Sequence, residues 1–148
     1  MASKVVAVTG ASGFIGAHVV LALLRRGYTV HACVRNKDDA KNKFLLELGG
    51  PVRLFSALLL DEGAYDAAFA GAVGVIHVAA VLAIAGSMDP VRDMVEPSTR
   101  GTRNVLEEVA HEKLQPSTGM GPTSGKPQGV LKRGTQALAA FRYVVQVC

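Results

Sequence analysis

The chain has 148 residues, 49% of them hydrophobic and 19% charged, which is enough apolar material for one globular core. Its formal net charge of +4 comes from Lys and Arg scattered among acids, and only the tail gathers bases without them, so no nucleic-acid partner is expected. Two cysteines, Cys33 in an apolar run and Cys148 at the last position, form neither a disulfide framework nor a metal-ligand spacing, so no metal site and a reduced, cytoplasmic setting are expected.

From Lys4 to about Ala110, short β-prone apolar runs alternate with helical patterns, the order of repeated βαβ units around a parallel sheet. The first strand is predicted at Val5–Thr9, an apolar run too short for the ~7–15 residue core of a signal peptide. A helix follows over Phe14–Arg26, with Ser12 as N-cap, a buried stripe of Ile15, Val19 and Leu23, and Gly27 as its stop. Strands are predicted next at Thr29–Val34, Val52–Ala57 and Val73–Val78, predominantly apolar with little period-two alternation, as strands covered on both faces should be. Helices are predicted at Asp39–Leu48, Glu62–Phe69 and Pro90–Ala110. The stretch Ala70 to Gly86 is interrupted by His77 and glycines and stays under the ~18 apolar residues of a membrane helix, so it reads as a buried strand with its exit loop and no membrane partner is expected.

After His111 the composition changes. Gln115 to Gln136 is rich in Pro, Gly, Ser, Thr, Lys and Arg and reads as linker or disorder. Phe141–Val147 is apolar again, either a fifth strand reached by a long loop or an accidental apolar end. The division is therefore a partial nucleotide-binding domain over residues 1–112 and a linker with an atypical tail over 113–148. Within the linker, Gly119 to Pro127 imitates a phosphate-binding loop, but Met120 stands five residues before Gly125 and Pro127 replaces the Ser or Thr that would hold magnesium, so no phosphate role is expected there.

Thr9-Gly10-Ala11-Ser12-Gly13-Phe14-Ile15-Gly16 lies between the first predicted strand and helix, the context in which a glycine motif carries meaning. Gly10 would permit the tight turn, Gly13 would let backbone amides approach a pyrophosphate, and Gly16 would let the helix pack closely on the sheet. The free N–H groups and the dipole at the helix start would then hold the anion. Ser12 stands where the more familiar G-x-G-x-x-G spacing has its second glycine. The plainer alternative is a turn that needs glycine for geometry alone.

The second strand ends at Cys33-Val34-Arg35 rather than at an acid, and an arginine there suits an adenosine 2′-phosphate, with Lys41 as a second cation. Asp38 and Asp39 lie between these cations and cap the next helix in the competing reading, which makes the whole turn a solvated helix entrance.

These residues resemble the extended short-chain dehydrogenase/reductase superfamily of NAD-dependent epimerase/dehydratase type, and within it the dihydroflavonol reductase and cinnamoyl-CoA reductase group. The resemblance spans about Lys4 to Glu108. It rests on Val8 to Gly16, on Val34-Arg35-Asn36 followed by Lys41, on Leu60-Asp61-Glu62-Gly63 with Tyr65-Asp66, on Val75 to Ala80, and on Asp89-Pro90 leading to Gly101-Thr102-Arg103-Asn104-Val105-Leu106. It implies an α/β, Rossmann-type parallel sheet with helices on both faces, truncated after about four strands with a fifth supplied by the tail if that run pairs. It also implies NADP(H) as cofactor, held by Gly10, Ser12, Gly13, Phe14, Ile15 and Gly16, with Arg35 and Lys41 at the 2′-phosphate and His77, Val78, Ala79 and Ala80 along its ribose and nicotinamide end. His77 reads as a core or strand-end histidine rather than a catalytic one, and Asn104 as a structural helix residue.

The chain departs from that group in two places. Ala57-Leu58-Leu59 has Leu58 where the group carries an acid contacting the adenine. The resemblance also ends near Ala110, before the group's catalytic serine and Tyr-x-x-x-Lys pair: the residues four positions after Tyr28, Tyr65 and Tyr143 are Ala32, Phe69 and Val147. No catalytic residue is therefore assigned and no substrate is named. The expectation is the NADP(H)-binding portion of an oxidoreductase acting on CH–OH or carbonyl groups, inactive alone, with the tail a truncated or mis-spliced continuation. The competing expectation is a non-catalytic dinucleotide-binding or sensor module. An incomplete sheet would expose an edge open to association or aggregation.

Overall fold

The computed structural model describes residues 4–81, 89–111 and, for the backbone, 143–146. The predicted linker, the phosphate-loop imitation and both ends of the apolar tail lie outside the described residues.

The first apolar run forms β1 (Val5–Thr9), followed by α1 (Phe14–Arg25) and β2 (Thr29–Val34). A 3₁₀ segment, Ala40–Glu47, leads to β3 (Val52–Ser56), and α2 (Asp66–Phe69) leads to β4 (Gly74–His77). A π-helical turn, Val91–Val95, continues directly into α3 (Glu96–His111), and β5 (Tyr143–Gln146) completes the order. All pairings are parallel, and the strands run in space as β3-β2-β1-β4-β5. This is a Rossmann-type sheet. The tail run does pair, Gly74 to His77 of β4 facing Tyr143 to Gln146, so β4 is an inner strand.

Alternate side chains of the sheet feed two cores. Val8, Val30, Ala32 and Val34 meet Val20 of α1 and Leu45 of the 3₁₀ segment on one face. Ala7, Cys33 and Val75 meet Tyr65, Phe69, Val105 and Val109 of the α2 and α3 layer on the other. Helices on both faces explain why β1, β2 and β4 are largely apolar. β3 corrects the expectation of a strand covered on both faces: at the edge of the sheet none of its residues is buried, Arg53 and Ser56 are exposed, and the Arg53 guanidinium lies 5.5 Å from the centre of the Phe55 ring.

Three helix expectations need correction. The buried stripe of α1 is Gly16 and Val20, flanked by partly buried Val19, Leu23 and Leu24, while Ile15 is 50% exposed. Gly16 turns toward the carbonyl of Gly10, which a side chain there would strike, and this fixes the rotation of the helix. Ser12 is not the N-cap; Gly13 is, with no side-chain cap. The predicted Glu62–Phe69 helix shrinks to Asp66–Phe69 because Gly63 adopts φ +73° and the Tyr65 N–H is drawn to the Glu108 carboxylate at 2.7 Å.

Candidate functional site

The strand order reverses between β1 and β4, whose connections leave in opposite directions, and a crevice opens at the carboxyl ends of strands at such a point. Three segments leave the carboxyl ends of neighbouring parallel strands on that edge of the sheet: Gly10–Gly16 after β1, Arg35–Lys41 after β2, and Val78–Ala80 after β4.

The first and third segments are locked together by Thr9, the last residue of β1. Its buried hydroxyl accepts hydrogen bonds from the N–H groups of Val78 and Ala79, both at 3.1 Å, and lies 2.7 Å from Nδ1 of His77. With both acceptor positions taken, the hydroxyl has only its own proton left to offer, so it donates to His77 Nδ1. That fixes His77 as the neutral imidazole with its proton on Nε2. Burial pushes its pKa down to about 4, in keeping with the neutral form. His77 is 2% exposed. It is thus the strand-end core histidine expected, with a defined partner. Nothing in the glycine motif itself assigns Thr9 a role. The signal available was a hydroxyl closing an otherwise apolar strand immediately before a glycine turn.

Gly10 has φ +63°, and a Cβ there would come within 2.8 Å of the Ala79 nitrogen. Glycine is needed twice over, for the turn and for the approach of the Val78–Ala80 segment. The loop is also tied to β2 by the Ala11 N–H on the Cys33 carbonyl at 3.1 Å. Gly13 is unlike its neighbours: a Cβ there would meet only the Gly10 oxygen at 3.5 Å, so its open face is not filled by protein. Because α1 has no side-chain cap, the first N–H groups of the helix lie beside that open face without an intrahelical acceptor. Phe14 is 83% exposed, and with Ile15 it forms an apolar lip on the loop. The Phe14 ring packs 4.6 Å from that of His18, whose Nδ1–H donates to the Phe14 carbonyl.

The β2 turn is organised by its own polar groups. Asn42 Nδ2 donates to the Asn36 carbonyl at 2.7 Å, and the Lys37 N–H donates to Ser56 Oγ at 2.9 Å. Asp39 caps the 3₁₀ segment, accepting from the Lys41 N–H, and its other oxygen lies 3.1 Å from Lys41 Nζ. The hydrogen bond from the Lys41 backbone, then the contact with its ammonium, holds the Asp39 carboxyl below the ordinary range. Arg35 is exposed and has no polar partner among the described residues. Asp39 therefore does cap, as the competing reading had it. Leu58 is 49% exposed just beyond β3.

A second concavity, of about 210 Å³, lies away from this crevice among Glu62, Gly63, Asp66, Asn104, Glu107, Glu108 and His111. Among the described residues no cluster of His, Cys, Asp and Glu is arranged to hold a metal ion, and no helix is long and apolar enough to cross a membrane.

A family model, NAD dependent epimerase/dehydratase, matches residues 6–130. The chain belongs to this family. Dihydroflavonol 4-reductase of Dianthus caryophyllus is 40% identical over 116 residues, covering 76% of this chain and 32% of that protein. Cinnamoyl-CoA reductase 1 of Arabidopsis thaliana is 44% identical over 117 residues, covering 77% and 33%. Among solved structures, vestitone reductase from alfalfa superposes with a TM-score of 0.60 at 28% identity, covering 75% of this chain and 33% of that one. Gre2 from Candida albicans in complex with NADPH gives 0.61 at 29% identity, covering 73% and 33%. The chain thus spans about a third of the length of the reductases it matches. Members of this NAD dependent family work with a nicotinamide dinucleotide.

Proposed function

We propose that this chain is the NADP(H)-binding portion of a reductase acting on carbonyl or CH–OH groups. The observation that carries the reading is the Thr9-locked junction of the glycine loop and the Val78–Ala80 segment, beside an arginine that has no polar partner among the described residues at the end of β2. A pyrophosphate fits the uncapped start of α1, where N–H groups and the helix dipole favour an anion and Gly13 leaves room for it. Arg35 would bind the 2′-phosphate through its planar fork, with Lys41 beside it. Ala79 and Ala80 would line the far end of the cofactor, held in place by Thr9. When bound, the nicotinamide would supply hydride chemistry, while Gly10–Gly16, Arg35, Lys41 and Val78–Ala80 would hold and orient the dinucleotide.

None of the three tyrosines is followed four residues later by lysine, so turnover by a Tyr-x-x-x-Lys pair is not expected of these 148 residues. The same fact leaves a non-catalytic dinucleotide-binding module as the second reading. Calorimetry on the monodisperse chain with NADPH and with NADH tests binding. Tighter binding of NADPH, lost about tenfold or more in Arg35→Ala, is expected from a charge-assisted contact. Absence of binding to either dinucleotide by folded protein would reduce the glycine loop to a structural turn.

A further inference from the structure

The two cations of the β2 turn are not equivalent. Arg35 has no polar partner among the described residues, whereas both carboxylate oxygens of Asp39 are engaged by Lys41: one accepts the backbone N–H at 3.1 Å and the other lies 3.1 Å from Nζ. The Lys41 side chain is 75% exposed and that of Asp39 36%, so the pair is formed at the surface, where an incoming anion can reach it.

We propose that Asp39 weakens the preference of this site for NADPH by holding Lys41 in an internal ion pair, so that a 2′-phosphate must compete for that cation and gains little from it. The inference rests on the NADP(H) reading above. In it, Arg35 carries most of the discrimination between NADPH and NADH. Lys41 is a reserve cation, and Asp39 is both its capping residue and a negative charge that repels the phosphate. An exposed ion pair is weak, so the competition is modest and sensitive to salt.

Asparagine separates the two roles of Asp39, since its amide oxygen can still accept the Lys41 N–H while the charge is gone. In the full chain at low ionic strength, Asp39→Asn is expected to tighten NADPH binding by about two- to fivefold and to leave NADH within about twofold. The gain should shrink at 0.15 M salt, where the screening length falls to about 8 Å. Lys41→Met is expected to weaken NADPH less than about twofold in the wild-type background and by more than that beside Asp39→Asn, the excess measuring the freed cation.

Dissociation constants for both dinucleotides, measured for the four variants of this cycle with circular dichroism as a check on folding, decide the matter. NADPH binding that is unchanged or weakened in folded Asp39→Asn overturns the proposal and leaves the NADP(H) reading standing. So does a loss of more than about twofold in Lys41→Met alone, which does not require the Asp39 variant to fold. Failure of the wild-type chain to bind NADPH overturns both.

Discussion

The junction between the glycine loop and β4 and the cation turn after β2 both lie at the carboxyl edge of the sheet, yet they are built in opposite ways. At the junction the chain is packed backbone to backbone: Gly10 against Ala79, Gly16 against Gly10, and a buried threonine hydroxyl making three contacts. At the turn Asn42 is buried on the Asn36 carbonyl, but the charged groups are exposed, and the ion pair of Lys41 with Asp39 sits in solvent. The first region has no slack and should respond to volume and to lost hydrogen bonds. The second should respond to charge and salt while leaving the fold alone.

The harshest test of the rigid region is Gly16→Ala. The added carbon meets the Gly10 carbonyl and the Ala11 backbone rather than a movable side chain, so the helix must shift. A loss of about 3 kcal/mol or more in urea unfolding is expected, comparable to the larger core substitutions. If the variant were as stable as wild type, the packing described for this junction would be wrong.

Acid should strain the same place. His77 is held neutral with a pKa of about 4, below the ordinary value of 6.5, so between those values the unfolded chain binds a proton that the folded chain refuses. The contribution is fully retained above pH 6.5 and is lost progressively as pH falls toward 4, amounting to roughly 3 kcal/mol. Unfolding free energies at pH 7, 5.5 and 4 would measure it against His77→Asn. Its amide oxygen can still accept from Thr9, but it has no proton to take up, so its decline should be shallower.

Thr9→Val keeps the shape and removes the hydroxyl, stranding the N–H groups of Val78 and Ala79 and His77 Nδ1. About 2 kcal/mol of stability should be lost. Dinucleotide affinity should fall further than stability alone explains, because the Val78–Ala80 segment is released. Equal stability with weakened binding would assign Thr9 to positioning only.

The smallest effect belongs to the turn. Ser56→Ala removes the exposed acceptor of the Lys37 N–H and should cost under about 0.5 kcal/mol, since water can replace it. A loss as large as that of Thr9→Val would erase the contrast between the two regions.

Glu108 offers an independent check away from both. It is buried on α3 and its carboxyl is pushed up, chiefly by desolvation, so ionisation weighs against folding as pH rises above the ordinary carboxylate range. Glu108→Gln, which can still accept from Tyr65, should be the more stable form at pH 7 and lose that advantage in acid.

Much of this was legible in the amino-acid order. The runs Val5–Thr9 and Thr29–Val34 became strands at the positions expected, because apolar runs rich in β-branched residues fit a covered, pleated sheet better than a helix. Gly10, Gly13 and Gly16 marked the turn from β1 into α1 because spacing of this kind is local chemistry, carried within one βαβ unit. What sequence could not give was anything decided by a partner far along the chain. Ile15 was expected in a buried stripe and lies exposed, since the rotation of α1 is set by the contact of Gly16 with the preceding loop. Helix α2 is short because Glu108, more than forty residues away, takes the Tyr65 N–H. Thr9 became a keystone only when β4 brought His77, Val78 and Ala79 beside it. The sequence by itself determined which segments would be strands and where the glycine turn would stand, because those follow from side-chain type and short-range geometry. The tertiary structure decided which side chains face inward, which hydrogen bonds close and which cation of the β2 turn is held by an acid, because each depends on a neighbour that only folding supplies.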